Sequence, residues 1–575
     1  MTEKDREAHP EQPAESPEEV SPEQRPITRK ALVTGAGAAG LGLVAAGLPG
    51  IGRAQPWSSR SRNPALTARG LAKGFIGGPR GFPGAQRYQY PANSEEGRAI
   101  LALKAMRKAG KAPDTLVVQA LNFARPQFEN KFPKGADASI AGIFERETGI
   151  KLKFVETNPA SEYQTNIRNA STKNGSFDLV TGAIEDTGDY AEAGLLRPLD
   201  DFVHKYRPSW NDPKYGYAGG RPTVQLFTQY NGRTYWVAFD NDTQPYVYRA
   251  DLFNNPREKA AFEDKYGQPL TVPKTWEDQA KIAAFFNRPK ASTPLYGSVE
   301  RKCPFWGIVN WEHRFVCSAD PDMYYFKPDG SANVNNHAGI RAAEEHLRSL
   351  GWSEPGALSK DWLAQYQLFG AGNGVQGGTF PNVTKLIQPA NKQLDKGYGK
   401  YLRTDVQPGR MINGKLVRRT VIFYNISYGV NAFAPKSHHE AAYLFLQWAG
   451  GARMYTYLTA NPGGYQDPHH KISFEDPLVI ASYQPEPVRA LKEIIPRSAP
   501  GITLRGAPQY NQALDQELQK MLTKQQSPEQ AMKNVERRWN QITKRLGVER
   551  QAKAIRASYA AFPPKGRYGP NKPIT

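Results

Sequence analysis

The sequence predicts an α/β fold carried on a mostly parallel sheet, and two observations lead there. Short apolar runs of strand character alternate with stretches whose apolar residues recur at helical spacing, the order that builds βαβ units. The 575 residues are also enough to bury two or more domain-sized cores, which gives the alternation room.

The alternation begins after Pro113. TLVVQALN (115–122) reads as a strand and ASIAGIFERETG (138–149) as a helix that stops at Gly149. KLKFVET (151–157) alternates like a strand, a polar helix follows around YQTNIRNAST, and FDLVTG (177–182) has a buried-strand pattern. DYAEAGLLRPLDDFV (189–203) reads as a helix and a turn. This β-α-β-α-β order implies a parallel sheet with covered faces, and in such sheets ligands bind at the carboxyl ends of the strands. Here those ends are Asn122-Phe123-Ala124-Arg125 and Thr181-Gly182-Ala183-Ile184-Glu185-Asp186.

NGRTYWVAFDNDTQPYVYRADLF (231–253) predicts two strands around a polar break, Asp240-Asn241-Asp242-Thr243. VPKTWEDQAKIAAFF (272–286) predicts a helix entered through Pro273. The stretch 296–420 mixes helical and strand signals, among them FWGIVNWEHRF and AGIRAAEEHLRSLG. VIFYNISYGVNAFAP is strand-like, HHEAAYLFLQWAG is an amphipathic helix, and YNQALDQELQKML and SPEQAMKNVERRWNQITKRLG are closing helices. In the last of these Ser527 caps, Pro528 takes the first helical position and Gln530 completes a capping box.

Upstream, Asn93-Ser94-Glu95-Glu96 resembles a capped helix start, and Arg98 to Ala109 reads helical up to Gly110. Residues 55–92 are rich in Gly, Pro and Arg and free of acids, the composition of an extended or partly disordered basic arm. LVTGAGAAGLG (32–42) fits the dinucleotide fingerprint G-x-G-x-x-G, which works only between a strand and a stable helix, with an acid about 20 residues on. Gly40, Gly42, Gly47 and Pro49 undermine that helix, and no Asp or Glu stands between Gln24 and Ser94. The same residues read as the apolar part of an export signal over 1–54, with Arg25 to Lys30 before it and Gly52-Arg53-Ala54 as a cleavage site. Thr28-Arg29-Lys30-Ala31-Leu32 resembles a twin-arginine signal with lysine in the second arginine position. The mature chain is then expected to begin near Gln55 in the periplasm. No second apolar run approaches the ~20 residues that span a bilayer.

The formal net charge is +20, which raises nucleic acid as a partner. The basic residues are scattered and no nucleic-acid motif appears, so a solvated basic surface is the preferred reading and anionic ligands stay open. Cys303 and Cys317 are the two cysteines. In an oxidising compartment they can pair, and closing a loop of this length contributes about 3 kcal/mol on the chain-entropy model. Two cysteines make a weak metal site and no histidine pair has finger spacing, so neither metal nor cofactor is expected. The doublets His438-His439 and His469-His470 read as surface residues.

Four stretches, taken in order, resemble family 1 extracellular solute-binding proteins, the maltose-binding-protein-like receptors of ATP-binding-cassette sugar importers. They are DLVTGAIEDTGDYAEAGLL, NGRTYWVAFDNDTQPYVYRADLF, PKTWED and SPEQAMKNVERRWNQI. The resemblance spans roughly 113–546. It implies a two-lobed periplasmic-binding-protein fold of type II with discontinuous lobes, hinge crossovers and a closing cleft. The expected division is 113–240 and 419–464 in lobe 1, and 241–418 and 465–547 in lobe 2. The export signal (1–54), a basic extension with one helix (55–112) and a tail (548–575) are additions. It further implies a monomer that binds a sugar, polyol or sugar acid and delivers it to permease subunits in the inner membrane, without catalysis.

Sugars present hydroxyl edges and apolar C–H faces, so their sites combine aromatic platforms with carboxylates and amides. The candidates at the corresponding loops are Asn122, Arg125, Glu185, Asp186, Asp240, Asp242, Trp306, Trp311, Phe380, Tyr424, Tyr428, Tyr465 and Tyr510. Glu185 and Asp242 match sugar-contacting acids of the family. Asp186 stands where a relative has arginine, and Gly182 where it has a stacking tryptophan, which implies a different or smaller ligand. Each aromatic candidate has a core reading beside it. The competing classes are an exported carbohydrate-active enzyme using two of these carboxylates and an anion-binding receptor.

Overall fold

The computed structural model describes residues 70–389 and 391–561; the segment expected to be an export signal, the first part of the basic arm and the end of the tail lie outside them. Its principal sheet has five strands in the order Lys151–Thr157, Thr115–Leu121, Leu179–Ala183, Ile426–Val430 and Val237–Ala238. The first three are parallel, as the β-α-β-α-β reading requires, and Ile426–Val430 runs antiparallel to both of its neighbours. Val118 sits opposite Phe154 on one side and Leu179 on the other. The helix Ile140–Thr148 begins where the Ser139 hydroxyl accepts the Gly142 N–H, and it ends at Gly149 with φ 73°, a conformation that costs glycine least.

A second sheet has three antiparallel strands, Gln376–Gly378, Tyr246–Arg249 and Leu402–Asp405. Phe253, Phe262, Ile282, Phe286 and Val375 form a core cluster of their own beside it. The helices Ile308–Val316, His337–Leu350, Ala507–Leu522 and Pro528–Leu546 pack on one another. The result is the two-lobed, maltose-binding-protein-like fold. The chain passes from one sheet region to the other at 239–245, after Val237–Ala238, and back at 423–425, before Ile426–Val430.

Several expectations are corrected. The helix Trp276–Phe286 is capped by Thr275, whose hydroxyl accepts the Asp278 N–H at 3.1 Å; Pro273 precedes the cap, because a hydroxyl can satisfy an open helix N–H and proline cannot. Residues 70–92 are not an extended arm. Phe82, Tyr88 and Tyr90 are buried, Tyr88 donates to Asp476 at 2.8 Å, and Trp448 Nε1 donates to the Tyr90 hydroxyl at 2.8 Å. The Gly/Pro content of the arm hid three aromatic anchors. The tail opens with the helix Val548–Ala561, tied in by Gln551 donating to the Tyr510 hydroxyl at 2.9 Å. His469 and His470 are buried, in ring contact with Tyr217 and Tyr455, and burial lowers the pKa of both.

The structure also corrects the disulfide. Cys303 and Cys317 are both buried free thiols, and Cys317 Sγ lies 3.4 Å from the Arg419 carbonyl and accepts the Arg419 N–H at 3.3 Å. The helix Ile308–Val316 intervenes between them, so closeness in sequence does not bring the two sulfurs together. Among the described residues no helix is long and apolar enough to cross a membrane.

Candidate functional site

A cleft enclosing about 710 Å³, open solvent included, lies where the two crossovers meet the carboxyl end of the strand Thr115–Leu121. Phe123 enters it from that strand end, Asp240 and Asp242 from the first crossover, and Tyr424 and Ile426 from the second. The other wall is Trp306, just ahead of the helix Ile308–Val316, with Phe380 and Asn382 after the strand Gln376–Gly378. The helix Trp362–Gly370 adds Trp362, Leu363 and Tyr366. Its cap is Asp361, whose Oδ1 accepts the Leu363 and Ala364 N–H groups at 3.0 and 3.1 Å. Tyr465 and Pro159 complete the lining.

The rings form two continuous groups. Trp306 stands edge-on to Tyr424 at 5.3 Å and to Phe380 at 5.8 Å between centroids. In the second group Phe123 lies 4.7 Å from Tyr465, and Trp362 lies 6.1 Å from Tyr465 and 5.3 Å from Tyr366. Edge-to-face pairs add ~0.5–1.5 kcal/mol each to area burial, so the walls hold their shape without a ligand. Phe305 (φ 68°) and Tyr424 (φ 65°) both adopt left-handed backbone, which costs a side-chain-bearing residue ~1–2 kcal/mol. Glu185 holds Tyr424 there, its Oε1 accepting the Tyr424 N–H at 2.6 Å.

Beneath the rings lies a buried carboxylate group. One carboxylate oxygen from each of Asp240, Asp242 and Asp467 lies within 4.8 Å of the others, a spacing that can hold a cation. Asp240 Oδ1 accepts the N–H groups of Asn241 and Asp467 at 2.8 and 2.9 Å. Asp467 accepts from the Tyr483 hydroxyl on one oxygen, and its other has no hydrogen-bond partner among the described residues. Burial pushes Asp240 up to about 7 and raises Asp242 and Asp467 well above the usual carboxylate range. Lys385 supplies one positive charge. It donates to the Gln466 carbonyl at 2.7 Å, and burial lowers it to about 8 against the pull of Asp467 and Asp240.

Of the sequence candidates, Asp240, Asp242, Trp306, Phe380, Tyr424 and Tyr465 line this cavity. The others do not. Asn122 Oδ1 accepts the Phe123 N–H at 2.9 Å and shapes the turn. Arg125 pairs with Glu129 at 2.8 Å and Glu156 at 2.9 Å on the surface. Asp186 is buried beside Tyr190, whose hydroxyl lies 3.4 Å away, and Glu185 supports the second crossover. Trp311 stacks on Phe315 at 4.7 Å and donates to the Gly339 carbonyl. Tyr428 packs against Phe239 at 5.0 Å inside the main sheet, and Tyr510 sits in the core with Trp539 and Phe326. Trp311, Tyr428 and Tyr510 are core positions, because their strand or helix faces point into a lobe. A Cβ on Gly182 would stand 2.8 Å from the Tyr190 ring, so this glycine allows close packing and no side chain fits.

Phe123, Trp362, Tyr366, Asn382, Lys385 and Asp467 were missed. The pair Trp362 and Tyr366, one helical turn apart behind an aspartate cap, was a readable signal. Asp467 and Lys385 had none, because they meet only through the fold.

A family model for bacterial extracellular solute-binding proteins matches residues 125–455. No curated protein sequence matches the chain. Among solved structures, a solute-binding protein of an ABC transporter from Agrobacterium radiobacter K84, in complex with ribitol, is 19% identical with a TM-score of 0.59, over 75% of this chain and 99% of its own. Maltose-bound MalE3 of T. maritima is 15% identical with a TM-score of 0.58, over 74% and 99%. A solute-binding protein from Thermotoga lettingae, bound with α-D-tagatose, is 15% identical with a TM-score of 0.58, over 75% and 100%. At these identities the likeness speaks for the fold. With the family match over more than half of its length, the chain belongs to the bacterial extracellular solute-binding proteins.

Proposed function

We propose that the protein is the exported receptor of an ABC importer, and that it takes a carbohydrate or carbohydrate-like solute into the cavity between its lobes and hands it to membrane permease subunits. The observation that carries this reading is the placement of two aromatic groups and two carboxylates around one cavity at the chain crossovers, where movement of one lobe against the other would close them on a solute. Aromatic faces suit the C–H faces of a sugar or polyol, and the carboxylates accept from its hydroxyls. The ribitol-, maltose- and tagatose-bound relatives agree in ligand class. The crossovers at 239–245 and 423–425 support lobe boundaries near 240 and 419, and residues 1–54 act as the export signal that delivers a monomer to the periplasm.

A thermal-shift and calorimetric screen of sugars, polyols and sugar acids tests this, because a solute at 100 times its Kd stabilises by ~2.7 kcal/mol. A reducing-end assay on oligosaccharides accompanies it. Saturable binding without turnover is the expected result; turnover would replace the receptor by an enzyme.

A further inference from the structure

We propose that the solute carries a protonated amine, seated against Asp242 and walled by the aromatic rings; this rests on the cavity being the solute site. Four observations converge. The lining has three carboxylates, Asp240, Asp242 and Asp361, and no Lys, Arg or His. Two of the three already have work inside the protein: Asp361 caps its helix and Asp240 holds two backbone N–H groups.

Asp242 is different. It is 4% exposed and lines the cavity; its backbone carbonyl accepts the Gln244 and Phe423 N–H groups, while no described residue donates to its carboxylate. Removing a carboxylate from water without a partner is costly, and a cation is the partner that offsets it. The amide donor of Asn382 is committed to the Tyr465 carbonyl at 3.0 Å, and its acceptor to the Tyr366 hydroxyl at 2.5 Å. The Asn382 amide is thus spent on the protein, while the aromatic faces of the wall attract cations within about 6 Å.

Charge balance agrees. Asp240, Asp467 and Glu185 all act on Asp242, with Arg301 opposing them. Lys385 balances Asp467 and Asp240 from behind. Arg301 lies over Phe380 at 4.4 Å and donates to Gln244. Arg301 and Lys385 are both engaged inside the protein, on Gln244 and on the Gln466 carbonyl, so neither pairs directly with Asp242.

Matched pairs test the proposal on the full mature chain: sorbitol against 1-amino-1-deoxysorbitol, and glucose against glucosamine, with calcium chloride as a third arm, by titration calorimetry at pH 7. The amine of a pair should bind at least tenfold tighter than its alcohol. Asp242→Asn should remove that preference while the variant keeps its unliganded melting temperature. Equal or tighter binding of the neutral members overturns the amine and leaves the receptor reading standing. A response to calcium alone overturns it in favour of a metal at the three aspartates. Silence from every solute, here and in the wider sugar screen, overturns the cavity assignment and the amine with it.

Discussion

Replacing Glu185 by glutamine removes a buried acid and keeps the carbonyl oxygen that holds the second crossover. Glu185 is 6% exposed; one oxygen accepts the Tyr424 N–H at 2.6 Å, and the other has no hydrogen-bond partner among the described residues. Burial, opposed by the Tyr424 N–H, pushes its pKa from 4.5 up to about 8. Between those values the unfolded chain gives up the proton and the folded chain keeps it. This group's contribution to stability is therefore full below pH about 4.5, falls as pH rises, and is lost above about 8. At ~1.4 kcal/mol per pH unit the ceiling is about 5 kcal/mol, and relaxation around the ionised group brings the working figure to roughly 2–4 kcal/mol. Glutamine does not titrate. Glu185→Gln should therefore match the parent within ~1 kcal/mol at pH 5 and exceed it by roughly 2–4 kcal/mol at pH 9. Melting followed by circular dichroism at pH 5, 7 and 9 reads the difference directly. A variant that melts lower than the parent at pH 9, or a gap that does not change with pH, would refute the reasoning.

Three further outcomes follow from the packing. Trp306→Ala should abolish solute binding and also lower the melting temperature, since a tryptophan nested among rings costs ~3–5 kcal/mol when truncated; Trp362→Ala, at a half-buried wall position, should weaken binding with a much smaller melting change, and equal melting of the two variants would contradict this. Lys385→Met removes the ammonium that donates to the Gln466 carbonyl at 2.7 Å, and leaving that buried carbonyl without its donor should cost ~1–3 kcal/mol at pH 7; a variant that melts as high as the parent would argue against it. Alkylation in denaturant without reductant should label both Cys303 and Cys317, whose buried thiols have no disulfide in the structure; an unlabelled pair would restore the disulfide.

The sequence by itself determined the parallel β-α-β-α-β beginning and most of its helix starts. Both are local properties: strand and helix periods repeat within a few residues, and caps such as Ser139 and Ser527 act on N–H groups three residues away. It also marked Asp240 and Asp242 as site acids, because a polar break inside an apolar crossover is visible in one dimension. Which aromatic faces the cavity was not visible there. Trp306 and Trp311 have the same local chemistry, yet one lines the cavity and the other stacks on Phe315, a choice made by how the helix Ile308–Val316 rotates against its neighbours. The same holds for residues 70–92, where turn-forming composition concealed Tyr88 and Tyr90 anchored on Asp476 and Trp448. Tertiary structure alone decided the charge of the site. Asp242, Asp467 and Lys385 come from separated stretches, and their burial and mutual fields exist only once both crossovers are in place, since desolvation and Coulomb interaction depend on distance in space and not on distance along the chain.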